Sequence, residues 1–301
     1  MSKPIPYLFC RYQIGVDDQA LDQNGQQHAL QNLQGNEIQH GRSRQGQPPP
    51  AALVMAPDSF DVDGTNCLAW LIGIQPGFRV QNNYDKKEQK IRTQVIDDPH
   101  IKFAPVIALP SVGAMALEDR SSDERITARQ ALGAFKTILR LLGDEGGTLT
   151  VHHGNADDIQ RWLSKWEISE YSYIIAPLNP ITASDLANRR SDAIKKENII
   201  RETGKVTPPK GQSLHQNGGS IEEANDLSSV GYGQRGFRGK TPDGHSAHVP
   251  KPRFHDNREK NLEEQKREQF VRVLFDPDPP AADSNRLEWR VALALRRFYG
   301  G

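Results

Sequence analysis

Asn66-Cys-Leu-Ala-Trp-Leu-Ile-Gly-Ile-Gln-Pro-Gly-Phe-Arg-Val-Gln81 reads as an apolar strand, a turn and a second strand, and it decides the class of the first half of the chain. Pro76-Gly77 suits a type II turn, because proline presets the first central residue and glycine accepts positive φ at the second. Phe78 and Val80 then alternate with Arg79 and Gln81, the pattern of a strand with one wet face. Further apolar runs at Ala51–Met55, Ile101–Leu109 and Val112–Leu117 extend this to a meandering antiparallel sheet.

Upstream, Tyr7–Ile14 reads as a first strand. Residues 15–50 then turn Gln-rich and end in Gln47-Pro-Pro-Pro50. Glutamine offers hydrogen bonding but little apolar area to offset an ordering cost of about 1–2 kcal/mol per residue, so this stretch is expected to be a surface insertion. A short helix around Ala29, Leu30 and Leu33 is its one packed part.

Downstream the period changes. Ala128, Ala131, Leu132, Phe135, Ile138, Leu139 and Leu142 form one stripe of a helix over 123–142, with Ser121 and Glu124 at capping-box spacing and Gly143 beyond its end. A strand at Thr148–His152 leads to a second helix capped by Asn155, where Asp157 and Asp158 complement the positive end and Ile159, Trp162, Leu163 and Trp166 supply the buried face. Tyr171–Ala176 returns as a strand, and Ser184 caps a polar helix running to Ile199. Residues 201–262 are rich in Gly, Pro, Lys, Arg and His and, apart from a short helix at Ile221–Leu227, predict a linker or mobile loop. Gln269–Phe275 is a core strand. Leu287–Phe298 fits both a period of two and a helical stripe, while Ser284, Arg296, Arg297 and Gly300 at its ends favour the helix. The expected class is α+β, with a mainly β domain over 1–120 and an α+β domain over 121–301.

Composition narrows the functions. The 301 residues hold 38 basic and 38 acidic side chains, so no global field selects a polyanion or a membrane and any such role is local. No run reaches the roughly 20 apolar residues of a membrane span, and Met1-Ser-Lys-Pro-Ile-Pro lacks the apolar core of a signal peptide, so a cytoplasmic protein without a membrane partner is expected. Cys10 and Cys67, far apart in sequence, read as buried small hydrophobes. Trp70, Trp162, Trp166 and Trp289 offer aromatic surface for a protein partner or a second copy.

The strongest local constellation is Gly231-Tyr-Gly-Gln-Arg-Gly-Phe-Arg-Gly-Lys-Thr-Pro-Asp-Gly-His-Ser-Ala-His-Val-Pro-Lys-Pro-Arg-Phe254. Arg235, Arg238, Lys240, Lys251 and Arg253 would neutralise phosphates of DNA or RNA, and Tyr232, Phe237 and Phe254 would stack on bases. The bland alternative is a solvated hairpin whose glycines serve turns. Nucleotide hydrolysis is not indicated, since Gly239-Lys240-Thr241 runs into Pro242 instead of opening a helix. His245 and His248, with Asp243 and His255, carry zinc-ligand chemistry, but Pro242, Gly244 and Pro250 argue against the helix that would bring them together.

Pro57-Asp58 ahead of Glu88-Gln-Lys90 has the ingredients of a metal-dependent nuclease, in which two carboxylates hold Mg²⁺ and lysine helps position water. No other cofactor is expected. The polar setting Tyr84-Asp-Lys-Lys-Glu-Gln-Lys90 reads as a hairpin tip, where that chemistry has no rigid support.

Ile175-Ala-Pro-Leu-Asn-Pro180, Ser184-Asp-Leu186, the helix at Ile221 and Gly231-Tyr through Gly239-Lys-Thr-Pro-Asp-Gly244 together resemble bacterial phage-exclusion or abortive-infection proteins, including the Rex-type DNA-binding protein and a family carried in defence islands. Over residues 100–250 that resemblance implies nucleic-acid sensing in antiviral defence.

Overall fold

The computed structural model describes residues 3–17, 19–41, 49–85, 90–98, 100–177, 185–215, 219–229, 232–250, 270–277 and 286–300. In chain order its elements are β1 (Ile5–Val16), β2 (Gln19–Ala20), α1 (Gln23–Leu33), β3 (Glu37–Gln39), β4 (Ala51–Val62), β5 (Thr65–Gln75), β6 (Gly77–Asp85), β7 (Lys90–Asp98), β8 (Lys102–Leu109), β9 (Ala114–Glu118) and α2 (Ala128–Ile138). They continue with β10 (Gly147–His152), α3 (Ala156–Lys165), β11 (Glu167–Ile175), α4 (Asp185–Lys196), β12 (Glu202–Val206), α5 (Gly219–Ser229), β13 (Gly233–Lys240), β14 (Ser246–Val249), β15 (Val271–Phe275) and α6 (Leu287–Tyr299). The class is α+β. The chain divides into two compact units, one of residues 1–8, 12–151 and 276–301, the other of 9–11 and 152–275.

The first unit contains the antiparallel meander read from the sequence. Its strands run β1-β9-β8-β5-β4-β3, with β2 and β10 also pairing with β1, and β6-β7 form a separate two-stranded sheet. Asp63 and Gly64 both take positive φ, +50° and +78°, which allows the two-residue turn between β4 and β5; the Asp61 carboxylate accepts from the Gly64 N–H at 2.8 Å. A β-bulge between Met55 and Asp58 interrupts β4, where Ala56 takes positive φ and Pro57 has no N–H to offer the ladder. All five residues of β9 are buried, so both faces of the sheet are covered there. Helices α2 and α6 both pack on β8 and β9, and the Trp70 ring on β5 lies 5.4 Å from that of Phe135 on α2.

Three local expectations change. The long helix begins later, because Glu124–Ile126 is drawn into a bridge with Phe103 of β8; Thr127 and Gln130, not Ser121 and Glu124, form its capping box. In the Gln-rich stretch the expected helix is present as α1, capped by Asp22 and burying Ala29, Leu30 and Leu33, but it is not the one ordered part, since β2 and β3 flank it. Gln26 is itself buried there, satisfied by the Tyr12 hydroxyl and by the Leu21 carbonyl at 3.2 Å. The third change falls in the second unit, where the expected linker supplies β12, β13 and β14 beside α5, the helix read at Ile221–Leu227.

The second unit's sheet runs β12-β11-β13-β14-β15, antiparallel throughout, with α5 packed on β11 and β13 and against α4. The glycines that suggested a loop have another use. A Cβ at Gly239 would stand 2.5 Å from the Glu167 carbonyl oxygen, and one at Gly233 would stand 2.6 Å from the Ser228 hydroxyl, so both positions need glycine for close packing. Only Gly244, at φ +80°, serves the turn joining β13 to β14. Helix α3 carries the Asn155–Asp158 capping box and is clamped by its third residue: buried Asp158 accepts from Arg11 Nε at 2.9 Å, Arg11 Nη2 at 2.7 Å and Arg161 Nη2 at 2.7 Å. Cys10 and Cys67 are both buried, and neither is in a disulfide.

Candidate functional site

Strand alternation divides the predicted basic residues between two faces of the second unit's sheet. Arg235 and Phe237 point to the helix-covered side. Phe237 is 1% exposed, its ring centre 5.4 Å from that of Trp166 in an edge-on contact, so no ring face is left for a base. Arg235 donates to the Asn225 carbonyl of α5 at 3.2 Å, and burial lowers its pKa against the opposing influence of Tyr171 and Asp226. Tyr232 precedes β13, about 26 Å from Lys240 at the 3.3 Å rise of a strand; its N–H is held by the Leu227 carbonyl. Lys251, Arg253, Phe254 and His255 lie outside the described residues.

Arg238 and Lys240 occupy the opposite face, and both are exposed. The register adds partners that no reading along the segment shows. Arg238 is opposite His248 of β14, and His248 is opposite Arg272 of β15, which gives a transverse row of two guanidiniums flanking an imidazole. On the other side of Arg238 the row continues to Glu170 of β11, whose carboxylate takes the Lys205 ammonium at 3.0 Å. Lys240 lies one pair along, between Glu167 and Ser246. Among the described residues, Arg238, Lys240 and Arg272 make no side-chain ion pair.

Glu167, Arg238, Lys240, Ser246, His248 and Arg272 line a groove of about 800 Å³, completed by Ser169, Leu274 and the chain at Gly211–Ser213. Leu214 secures that chain by donating its N–H to the Ile168 carbonyl at 2.9 Å. Burial, and then the Arg238 charge, lower the pKa of His248, with Arg272 acting in the same direction and Glu170 against them. The row thus presents two fixed positive charges around an imidazole that is neutral at pH 7. An anion seated there meets donors from two strands at once.

The other candidate groups do not converge. The His245 ring packs 4.5 Å from that of Phe275, a buried residue of β15, whereas His248 faces the groove; three residues apart on an extended chain, the two imidazoles lie on opposite faces. No three His, Cys, Asp or Glu side chains among the described residues are grouped to hold a metal ion. Asp58 is exposed on β4, its carboxylate accepting from the Ser59 N–H at 2.8 Å, beside a recess of about 70 Å³. Lys90 opens β7 in the separate two-stranded sheet, and Glu88 lies outside the described residues. No helix among the described residues is long and apolar enough to cross a membrane.

Arg272 is the groove residue that sequence reasoning missed. The alternation in Val271-Arg-Val-Leu-Phe275 marks it as an outward position, but only the pairing of β14 with β15 places it beside His248. No family model matches the chain, and no curated protein is significantly similar to it.

Proposed function

We propose that the protein binds nucleic acid through phosphate contacts on the open face of β13, β14 and β15. The observation that carries this reading is the arrangement of Arg238, Lys240 and Arg272 on adjacent strands around one groove, without ion-pair partners among the described residues. Cations carried on a sheet attract a polyanion at little cost in backbone ordering, and the release of counterions makes such binding salt-dependent. The groove's described lining contains no Phe, Tyr or Trp, so recognition rests on phosphate more than on base stacking. The resemblance over residues 100–250 suggests the setting, detection of foreign DNA or RNA in the cytoplasm of a defending bacterium.

The test is fluorescence anisotropy with single-stranded and duplex oligonucleotides across a salt series, for the parent and for Arg238→Glu/Lys240→Glu/Arg272→Glu. Loss of three phosphate contacts should lower the slope of log K against log salt by about 2 on a single strand. Unchanged binding by the triple variant would remove the groove from the interface. The same incubations with Mg²⁺, run on a gel, test the nuclease alternative, because cleavage that survives Asp58→Ala and Lys90→Ala assigns the chemistry to other residues.

A further inference from the structure

We infer that the groove takes a terminal phosphomonoester, at the end of a nucleic-acid strand or on a free nucleotide, seated over His248 between Arg238 and Arg272; this rests on the phosphate-binding reading above. Arg238 and Arg272 flank a single residue, His248, in one transverse row across the sheet. Arg238 and Arg272 stand on strands separated only by β14, about 10 Å apart across the sheet at the usual strand spacing. Glu167 and Glu170 of β11 stand at the Lys240 and Arg238 ends of their rows, so a backbone continuing in that direction would pass carboxylates. On the same side, Gly211–Ser213 lines the groove.

A volume of about 800 Å³ lies within the range of roughly 300–1,000 Å³ that encloses a single small ligand. A phosphodiester brings one charge and continues in both directions. A phosphomonoester brings a charge of about −1.5 to −2 and three acceptor oxygens to one place. Two guanidiniums can each grip it through paired N–H groups, and the neutral His248 ring between them can donate one more hydrogen bond without adding repulsion. Lys240 and the Ser246 hydroxyl lie one pair further along β13 and β14, in reach of the attached sugar.

The experiment compares one labelled single strand in three forms, 5′-phosphorylated, 3′-phosphorylated and hydroxyl at both ends, with a nucleoside monophosphate as competitor. At least one phosphorylated form should bind about tenfold or more tightly than the hydroxyl form, and Arg238→Gln/Arg272→Gln should abolish the difference while the far-ultraviolet circular dichroism is unchanged. Efficient competition by the monophosphate identifies a nucleotide site, and poor competition identifies a strand end; either supports the assignment. If all three forms bind equally and the Gln variant weakens all three equally, the inference fails while nucleic-acid binding stands. If only the monophosphate binds, the inference stands and the nucleic-acid reading falls. Binding of none of them removes both.

Discussion

Replacing Asp158 with alanine should destabilise the second unit by about 3 kcal/mol. Asp158 is 1% exposed, and its carboxylate accepts from Nε and Nη2 of Arg11, from Arg161 and from the Asn155 N–H. Loss of the capping contact alone costs about 1 kcal/mol, and stranding the partners of a buried pair costs about 3–5 kcal/mol. These losses overlap because one side chain serves both, so they do not add. The Arg11 and Arg161 side chains keep 21% and 23% of their surface in water, which partly resolvates them and favours the lower end. Asp158→Asn retains an oxygen for the Asn155 N–H but not the charge, and should cost about half as much. Urea unfolding followed by the fluorescence of Trp162 and Trp166, in a Trp70→Phe/Trp289→Phe background, reads this unit. With a slope of about 2 kcal/mol per M, the midpoint should fall by about 1.5 M for alanine. A shift under about 0.5 M, or equal shifts for alanine and asparagine, would refute the clamp.

Two further outcomes follow from packing and burial. Gly204→Ala should cost about 1–3 kcal/mol and loosen β12, since a Cβ there would collide with the Tyr173 ring; a urea midpoint equal to that of the parent would show that the ring has room to move. Stability should also decline as pH falls below 6.5, because burial lowers the pKa of His40 and, together with Arg238, that of His248, so the unfolded chain binds more protons in that window. His40→Gln/His248→Gln should flatten the fall in urea midpoint between pH 7.5 and 5, and an unchanged slope would assign the acid sensitivity to other groups.

Much of the fold was legible because its signals are local. The Asn155 cap acts within a few residues of where it stands, and the structure keeps it where the sequence placed it; Gly77 takes the positive φ expected of Pro76-Gly77, but β5 and β6 belong to different sheets and form no hairpin there. The start of α2 was not legible, because the competitor of the Ser121 cap is a bridge from Glu124–Ile126 to Phe103, some twenty residues away. Gln26 illustrates the same limit: a polar residue that composition assigns to the surface is buried because Tyr12 and the Leu21 carbonyl satisfy its amide. Tertiary pairing overrode local preference in each case.

The groove shows why a basic segment is a poor guide to a basic surface. Reading 231–254 as a loop lets every cation in it act together, yet once residues 233–240 form a strand, alternation assigns Arg235 and Phe237 to the core side and Arg238 and Lys240 to the other. What restores a cluster is the antiparallel register, which sets Arg272, more than thirty residues beyond Arg238, two strands away from it. Charge density along the chain therefore counted side chains that cannot reach one ligand and omitted one that can. The glycines that suggested flexibility instead let β13 accept close neighbours, at Gly233 beside Ser228 and at Gly239 beside the Glu167 carbonyl. A strand is the better support for the proposed anion recognition, because the register fixes the backbone positions from which Arg238 and Arg272 reach out.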